Sequence, residues 1–204
     1  MKKVLILDIG VLFAGDEEAK TFGIKGGANF SNIIKTNDRN FDTEFKPGLN
    51  AGLFVDIPVV KGLAFSPELM FSQKGYKTTG TSLLGVANEY SVTSNFIEIP
   101  ILAKISAADK FSIYVGPQVS FLASTKEKFT RGDATYQNTI RNENENLKKS
   151  LVGGVIGLGV GLTDQLSLQG RYALDFQKNN ENGSSETPIY KNQVIQTSLA
   201  YRFK

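Results

Sequence analysis

A chain of 204 residues suits a single all-β barrel or sandwich, and its 20 glycines, 14 phenylalanines and 7 tyrosines lean towards strands and turns. Its net charge of +3 is too small and too evenly spread to mark a nucleic-acid partner. The lack of cysteine excludes disulfides and thiolate metal sites, and the lack of histidine removes the commonest general base and metal ligand, so neither an enzyme nor a cofactor is expected.

The chain opens on "MKKVLILDIGVLFAG", with Lys2 and Lys3 ahead of an apolar stretch from Val4 to Ala14. That is the layout of a signal peptide, although Asp8 interrupts it and no clean small-residue cleavage site follows. Residues 1–20 are therefore expected to be a leader, and residues 21–204 a single barrel domain. No stretch reaches the roughly 18 apolar residues of a membrane-spanning helix.

Eight runs of period two follow, each with one apolar and one polar or small face. The first, 22–30, sets Phe22, Ile24, Ala28 and Phe30 against Lys25, Gly27 and Asn29. The second, 47–57, opposes Leu49, Leu53 and Val55 to Asn50 and Asp56. The third, 62–76, opposes Phe65, Leu69 and Phe71 to Ser66, Glu68, Ser72 and Lys74. The fourth, about 90–105, contains "NFIEIPILAKI", an isoleucine ladder at 97, 99, 101 and 105 against Glu98 and Lys104. The fifth, 111–124, opposes Val115, Val119 and Phe121 to Tyr114, Gln118 and Ser120. In the sixth, 151–162, Val152, Ile156, Leu158 and Val160 oppose a face that is almost all glycine. The seventh, 166–176, sets Leu168, Tyr172 and Leu174 against Gln169, Arg171 and Asp175. The eighth, 193–203, sets Ile195, Leu199, Tyr201 and Phe203 against Gln196, Ser198 and Arg202.

The connections alternate in length. "PVVK", "SAADK" and "TDQ" are short, whereas 31–46, 77–89, 125–148 and 178–191 are long and polar. An up-and-down meander then collects every long loop at one end and every short turn at the other. This predicts an eight-stranded antiparallel transmembrane β-barrel with short periplasmic turns and long extracellular loops. A soluble lipocalin-like barrel shares the strand number and the period, with its apolar face turned inward around a ligand.

In the membrane reading the polar faces line a lumen that side chains fill, and strand n lies across from strand n+4. Glu68 and Glu98 are then expected to meet Arg171 and Arg202, with Lys25, Asp56, Lys104 and Asp175 on the same interior face. An unpaired buried charge costs several kcal/mol, so these groups are expected to form one network that plugs the lumen. Pro67, Pro100 and Pro117 fall inside strands of a barrel that has no edge, which predicts a local bulge or kink in the third to fifth strands.

"FGIKGGANFSNI", "PGLNAGLFVDIPVVKGLAFSPELMFSQKGY", "NFIEIPILAKI", "IYVGPQVSFL" and "LAYRF" resemble, in motif and order, the PorT-like outer-membrane β-barrel proteins of Bacteroidetes. The resemblance implies the outer membrane of a Gram-negative bacterium, a signal peptide, and insertion by the barrel-assembly machinery. Tyr201 and Phe203 stand where that machinery reads a terminal aromatic strand, and Lys204 after them departs from the usual pattern.

The expected role is structural or in surface interaction through the extracellular loops, for a monomer among outer-membrane lipid and lipopolysaccharide. Narrow-pore transport and a soluble ligand-binding barrel are the alternatives. Arg131, Gly132 and Asp133 form an adhesion-like tripeptide, although three fixed residues are a weak signal. "NDRNFD" and "NENEN" lack the spacing of a Ca²⁺ loop, and "GGVIGLGVG" departs from G-x-G-x-x-G, so glycine there serves close strand packing.

Overall fold

A computed structural model describes residues 20–35, 42–81, 87–131, 134–140, 148–179 and 189–203. Residues 1–19 of the expected leader, the tripeptide's Gly132 and Asp133, "NENEN", most of "NDRNFD" and Lys204 lie outside the described residues.

Nine strands follow in order: β1 (Thr21–Lys35), β2 (Glu44–Val60), β3 (Leu63–Thr81), β4 (Ala87–Ala108), β5 (Phe111–Arg131), β6 (Ala134–Ile140), β7 (Ser150–Gly161), β8 (Leu166–Asp175) and β9 (Tyr190–Arg202). All pairings are antiparallel between sequence neighbours, except that β5 passes over β6 to β7 and β9 returns to β1. Eight strands thus close into a ring, and β6 stands outside it against the far end of β5. The last stitch is the Phe203 N–H, which donates to the Phe22 carbonyl at 2.8 Å.

The two faces sort as the alternation requires. Ile97, Ile99, Ile101 and Ile105 point outward at 39–43 % exposure, while Glu98 between them is 1 % exposed. Phe22, Ile24, Leu53, Leu69, Phe121, Ile156, Leu168 and Leu199 continue the apolar belt around the ring. The interior holds Lys25, Asn29, Asn50, Asp56, Glu68, Ser72, Lys74, Gln118, Arg171 and Asp175. A soluble calyx would show the reverse.

Two expectations about the strands need correction. Much of 77–89 and 125–148 is strand rather than loop: β3, β4 and β5 run for 19, 22 and 21 residues, about twice the 9–11 that cross a bilayer. "KTTGT", "ANEYSVT" and "TKEKFTR" carry polar residues on both faces, so their period is silent although threonine and tyrosine favour strands. On β3 and β4 the apolar belt stops at Phe71 and Ile97, with Gln73 and Asn95 beyond, so β3–β6 rise above the membrane as a sheet.

The prolines form no bulge. Pairing lapses beside Pro67, Pro100 and Pro117 but resumes in the same register, from Pro67↔Ile101 to Met70↔Glu98 and from Pro100↔Gln118 to Ala103↔Val115. A missing N–H removes a ladder bond without adding a residue, so the strands keep step. One true irregularity lies higher, where Asn95↔Ser124 and Phe96↔Leu122 leave Ala123 as an extra residue in β5. Beyond it the inward face of β5 switches from even to odd positions, from Ser120 to Thr125.

Finally, the glycine face of β7 serves its neighbours' side chains. A Cβ on Gly157 would sit 2.5 Å from Arg171 Cγ and 2.8 Å from the Gly170 carbonyl, and one on Gly159 would sit 2.9 Å from the Tyr114 ring. Gly157→Val should therefore destabilise the barrel by about 1–3 kcal/mol through overpacking against backbone. The urea midpoint of the refolded protein in lipid vesicles, followed by circular dichroism, measures this. An unchanged midpoint would show that the lumen has slack at Arg171.

Candidate functional site

The lumen is filled in layers, each held by residues whose strands bring them to one height. Nearest the short turns, Lys104 pairs with Asp56, whose carboxylate also accepts from Ser66 Oγ at 2.7 Å. Above it, Glu68 on β3 accepts both amino groups of Arg171 on β8 at 2.7 Å and pairs with Lys25 on β1. Such a two-point contact fixes the guanidinium plane as well as its charge. Arg171 also donates to Gln169 at 2.8 Å and stacks on the Tyr114 ring at 4.9 Å.

A neutral layer follows: Ser198 donates to Asn50 at 2.7 Å, Asn50 to Asn29 at 2.8 Å, and Asn29 to Ser72 at 3.0 Å. Higher still, Lys74 lies between Glu98 at 2.8 Å and Asp175 at 3.2 Å, with the Phe96 ring 5.0 Å away. Asn192 donates to Asp175 at 2.7 Å, and Ser120 to Glu98 at 3.4 Å.

Ile33, Tyr76, Val92 and Tyr190 close the loop end as an apolar cap, with Tyr190 edge-on to Tyr76 at 5.4 Å and Tyr90 beside them. In this cap, burial and the neighbouring Glu127 push the Tyr90 hydroxyl up to about 12, so it stays neutral.

The eight charged groups of these layers, Lys25, Lys74, Lys104, Arg171, Asp56, Glu68, Glu98 and Asp175, balance four against four. Seven of them were singled out from the sequence. The eighth, Lys74, was placed on the polar face by alternation but left out of the network. Its signal was available, since it stands six residues from Glu68 on one face.

The expected Glu98–Arg202 pair does not form. Counting strands placed β4 opposite β9, but Glu98 lies ten residues above the β4–β5 turn while Arg202 ends β9 at the short-turn rim. Arg202 instead lines a cavity of about 400 Å³ at that rim, together with Lys104, Asp109, Lys110 and Tyr114. Tyr201 and Phe203 face outward, their rings edge-to-face at 5.6 Å. Arg131 ends β5 and is exposed. Among the described residues no group of acidic side chains could hold a metal.

Residues 17–180 match the family described as outer membrane protein beta-barrel domain. The chain belongs to that family. An outer-membrane β-barrel domain protein of a Gram-negative bacterium has the apolar outer belt and polar interior seen here.

Solved structures with this fold include neisserial surface protein A, at 12 % identity over 91 % of this chain and all of that one, with a TM-score of 0.52. Ail, the attachment invasion locus protein of Yersinia pestis, is 12 % identical over 90 % of this chain and 98 % of that one, at 0.47. OprG of Pseudomonas aeruginosa is 13 % identical over 91 % and 96 %, at 0.40. Among curated proteins, none matches.

Proposed function

We propose that this outer-membrane barrel is a non-conducting, non-enzymatic surface protein of the PorT-like kind, working as a monomer through the sheet that β3–β6 raise above the membrane. The blocked lumen carries the reading. Its charged layers are joined by direct side-chain contacts across the ring, and Lys25, Glu68, Lys74, Glu98, Arg171 and Asp175 are all buried. The motifs that resemble PorT-like chains support the subgroup.

The raised sheet has a surface for contact. Tyr90, Phe129 and Tyr136 are neighbours across β4, β5 and β6, on the face that looks over the barrel mouth, and Phe129 and Tyr136 are 38 % and 68 % exposed. Aromatic rings presented on strands offer large contact area at little conformational cost.

Conductance across planar bilayers is the test. The refolded protein should give no steady single-channel current at any moderate voltage. Steady channels would overturn the plugged-lumen reading and favour narrow-pore transport.

A further inference from the structure

The outer wall of the raised sheet can be read row by row from the pairing of β3, β4 and β5. Phe71, Ile97 and Phe121 form the last apolar row. Gln73, Asn95 and Ser124 follow, with Gln73 donating to Asn95 at 3.1 Å and Asn95 to Ser124 at 2.9 Å. The next rows carry Lys126 opposite Thr93, then Lys77, Ser91 and Lys128 side by side.

A fourth cation comes from β2. The break in register between Phe45 and Asn50 lets Lys46 reach this face, where it donates to Ser91 Oγ. Glu44 and Glu89 stand 3.8 and 3.2 Å from Lys77, so four lysines meet two carboxylates among the described residues. Lys126 and Lys128 are exposed and take part in no ion pair among the described residues.

Two observations say what this patch faces. It continues directly from the lipid belt, and a lysine stem reaches back along apolar surface while its ammonium stays at the polar level. The four lysines are also gathered in adjoining rows: on the other half of the wall, Lys148, Lys149, Lys178 and Lys191 are spread over the loop ends of β7, β8 and β9, among Ile34, Val152 and Phe176. Around Lys46, burial holds the ammonium below its usual range, and Lys128, Lys77 and Lys126 push the same way against Glu89. An added anion would relieve that repulsion.

We infer that Lys46, Lys77, Lys126 and Lys128 form a binding site for the phosphates of an outer-leaflet glycolipid of the lipopolysaccharide type. Its acyl chains lie on Phe71, Ile97 and Phe121 below. This rests on the outer-membrane location and not on the surface-interaction reading.

Native mass spectrometry of the refolded protein in detergent tests it, with a bis-phosphorylated lipid A-type glycolipid and its dephosphorylated form as probes. The unaltered protein and K126R/K128R should retain the phosphorylated lipid about tenfold better than K126Q/K128Q, because each lysine near an anionic headgroup adds to the attraction. K61Q/K110Q, altered at the short-turn end, should match the unaltered protein. The heat-modifiable gel shift confirms that each variant is folded.

Equal retention by K126Q/K128Q, or retention blind to the phosphates, would overturn the site. Displacement of the lipid by millimolar inorganic phosphate or by a soluble sulfated oligosaccharide would overturn the lipid as its occupant.

Discussion

Glu68→Leu should lower the unfolding free energy of the refolded barrel by about 3–5 kcal/mol, because it strands two cations at once in a dry interior. Lys25 and Arg171 both lean on this carboxylate, and the side chains of Lys25 and Glu68 are each 1 % exposed. Neither cation can turn to water without opening the ring. Equilibrium urea unfolding in lipid vesicles, followed by far-UV circular dichroism, measures the loss, since the chain has no tryptophan to report it by fluorescence.

The triple change Glu68→Leu, Lys25→Met and Arg171→Met should recover most of that loss, since apolar residues of similar volume often replace a buried ionic cluster without cost. A loss under about 1 kcal/mol for Glu68→Leu alone, the size of an exposed pair, would mean that the lumen is hydrated.

Lys74→Met is the mirror image, leaving Glu98 and Asp175 without their shared cation. The expected loss is again about 3–5 kcal/mol, towards the lower end because each carboxylate keeps another donor. Asn192 still donates to Asp175 at 2.7 Å, and Ser120 to Glu98 at 3.4 Å. Adding Glu98→Gln and Asp175→Asn to Lys74→Met should restore stability in the same urea titration. Failure of that rescue would assign the role of Lys74 to packing against Phe96 rather than to charge.

Both predictions concern residues that the sequence made visible, because period two separates faces wherever one face must be apolar. "NFIEIPILAKI" shows this: each isoleucine meets lipid and Glu98 turns inward without exception. Strand counting also brought Glu68 to Arg171 across 103 residues. It failed for Glu98 and Arg202 because counting strands gives position around a ring but not height, and height depends on stagger and tilt.

The upper halves of β3, β4 and β5 were illegible for a different reason. Once a strand leaves the bilayer, neither face need be apolar, and "KTTGT" on β3 then reads like a loop. The extra residue at Ala123 compounds this by reversing the phase of β5. Lys46, Lys77, Lys126 and Lys128 all fall in stretches that read as long loops, whose basic residues suit lipopolysaccharide phosphates only in a general way; the pairing of β3–β5 and the break in β2 are what gather them on one face.

The distribution of the lumen charges along the chain bears on how the barrel enters a bilayer. The first four strands carry Lys25, Lys74 and Lys104 together with Asp56, Glu68 and Glu98, three of each sign, and β8 adds Arg171 and Asp175, one of each. A growing sheet of β1–β4 therefore has a counterion for every lumen charge it carries, before the later strands arrive. When β8 joins, each of its two charges finds a waiting partner on β3, Glu68 for Arg171 and Lys74 for Asp175. The lumen charges thus enter in balanced sets, and β8 joins the sheet across the lumen through its pairs with β3.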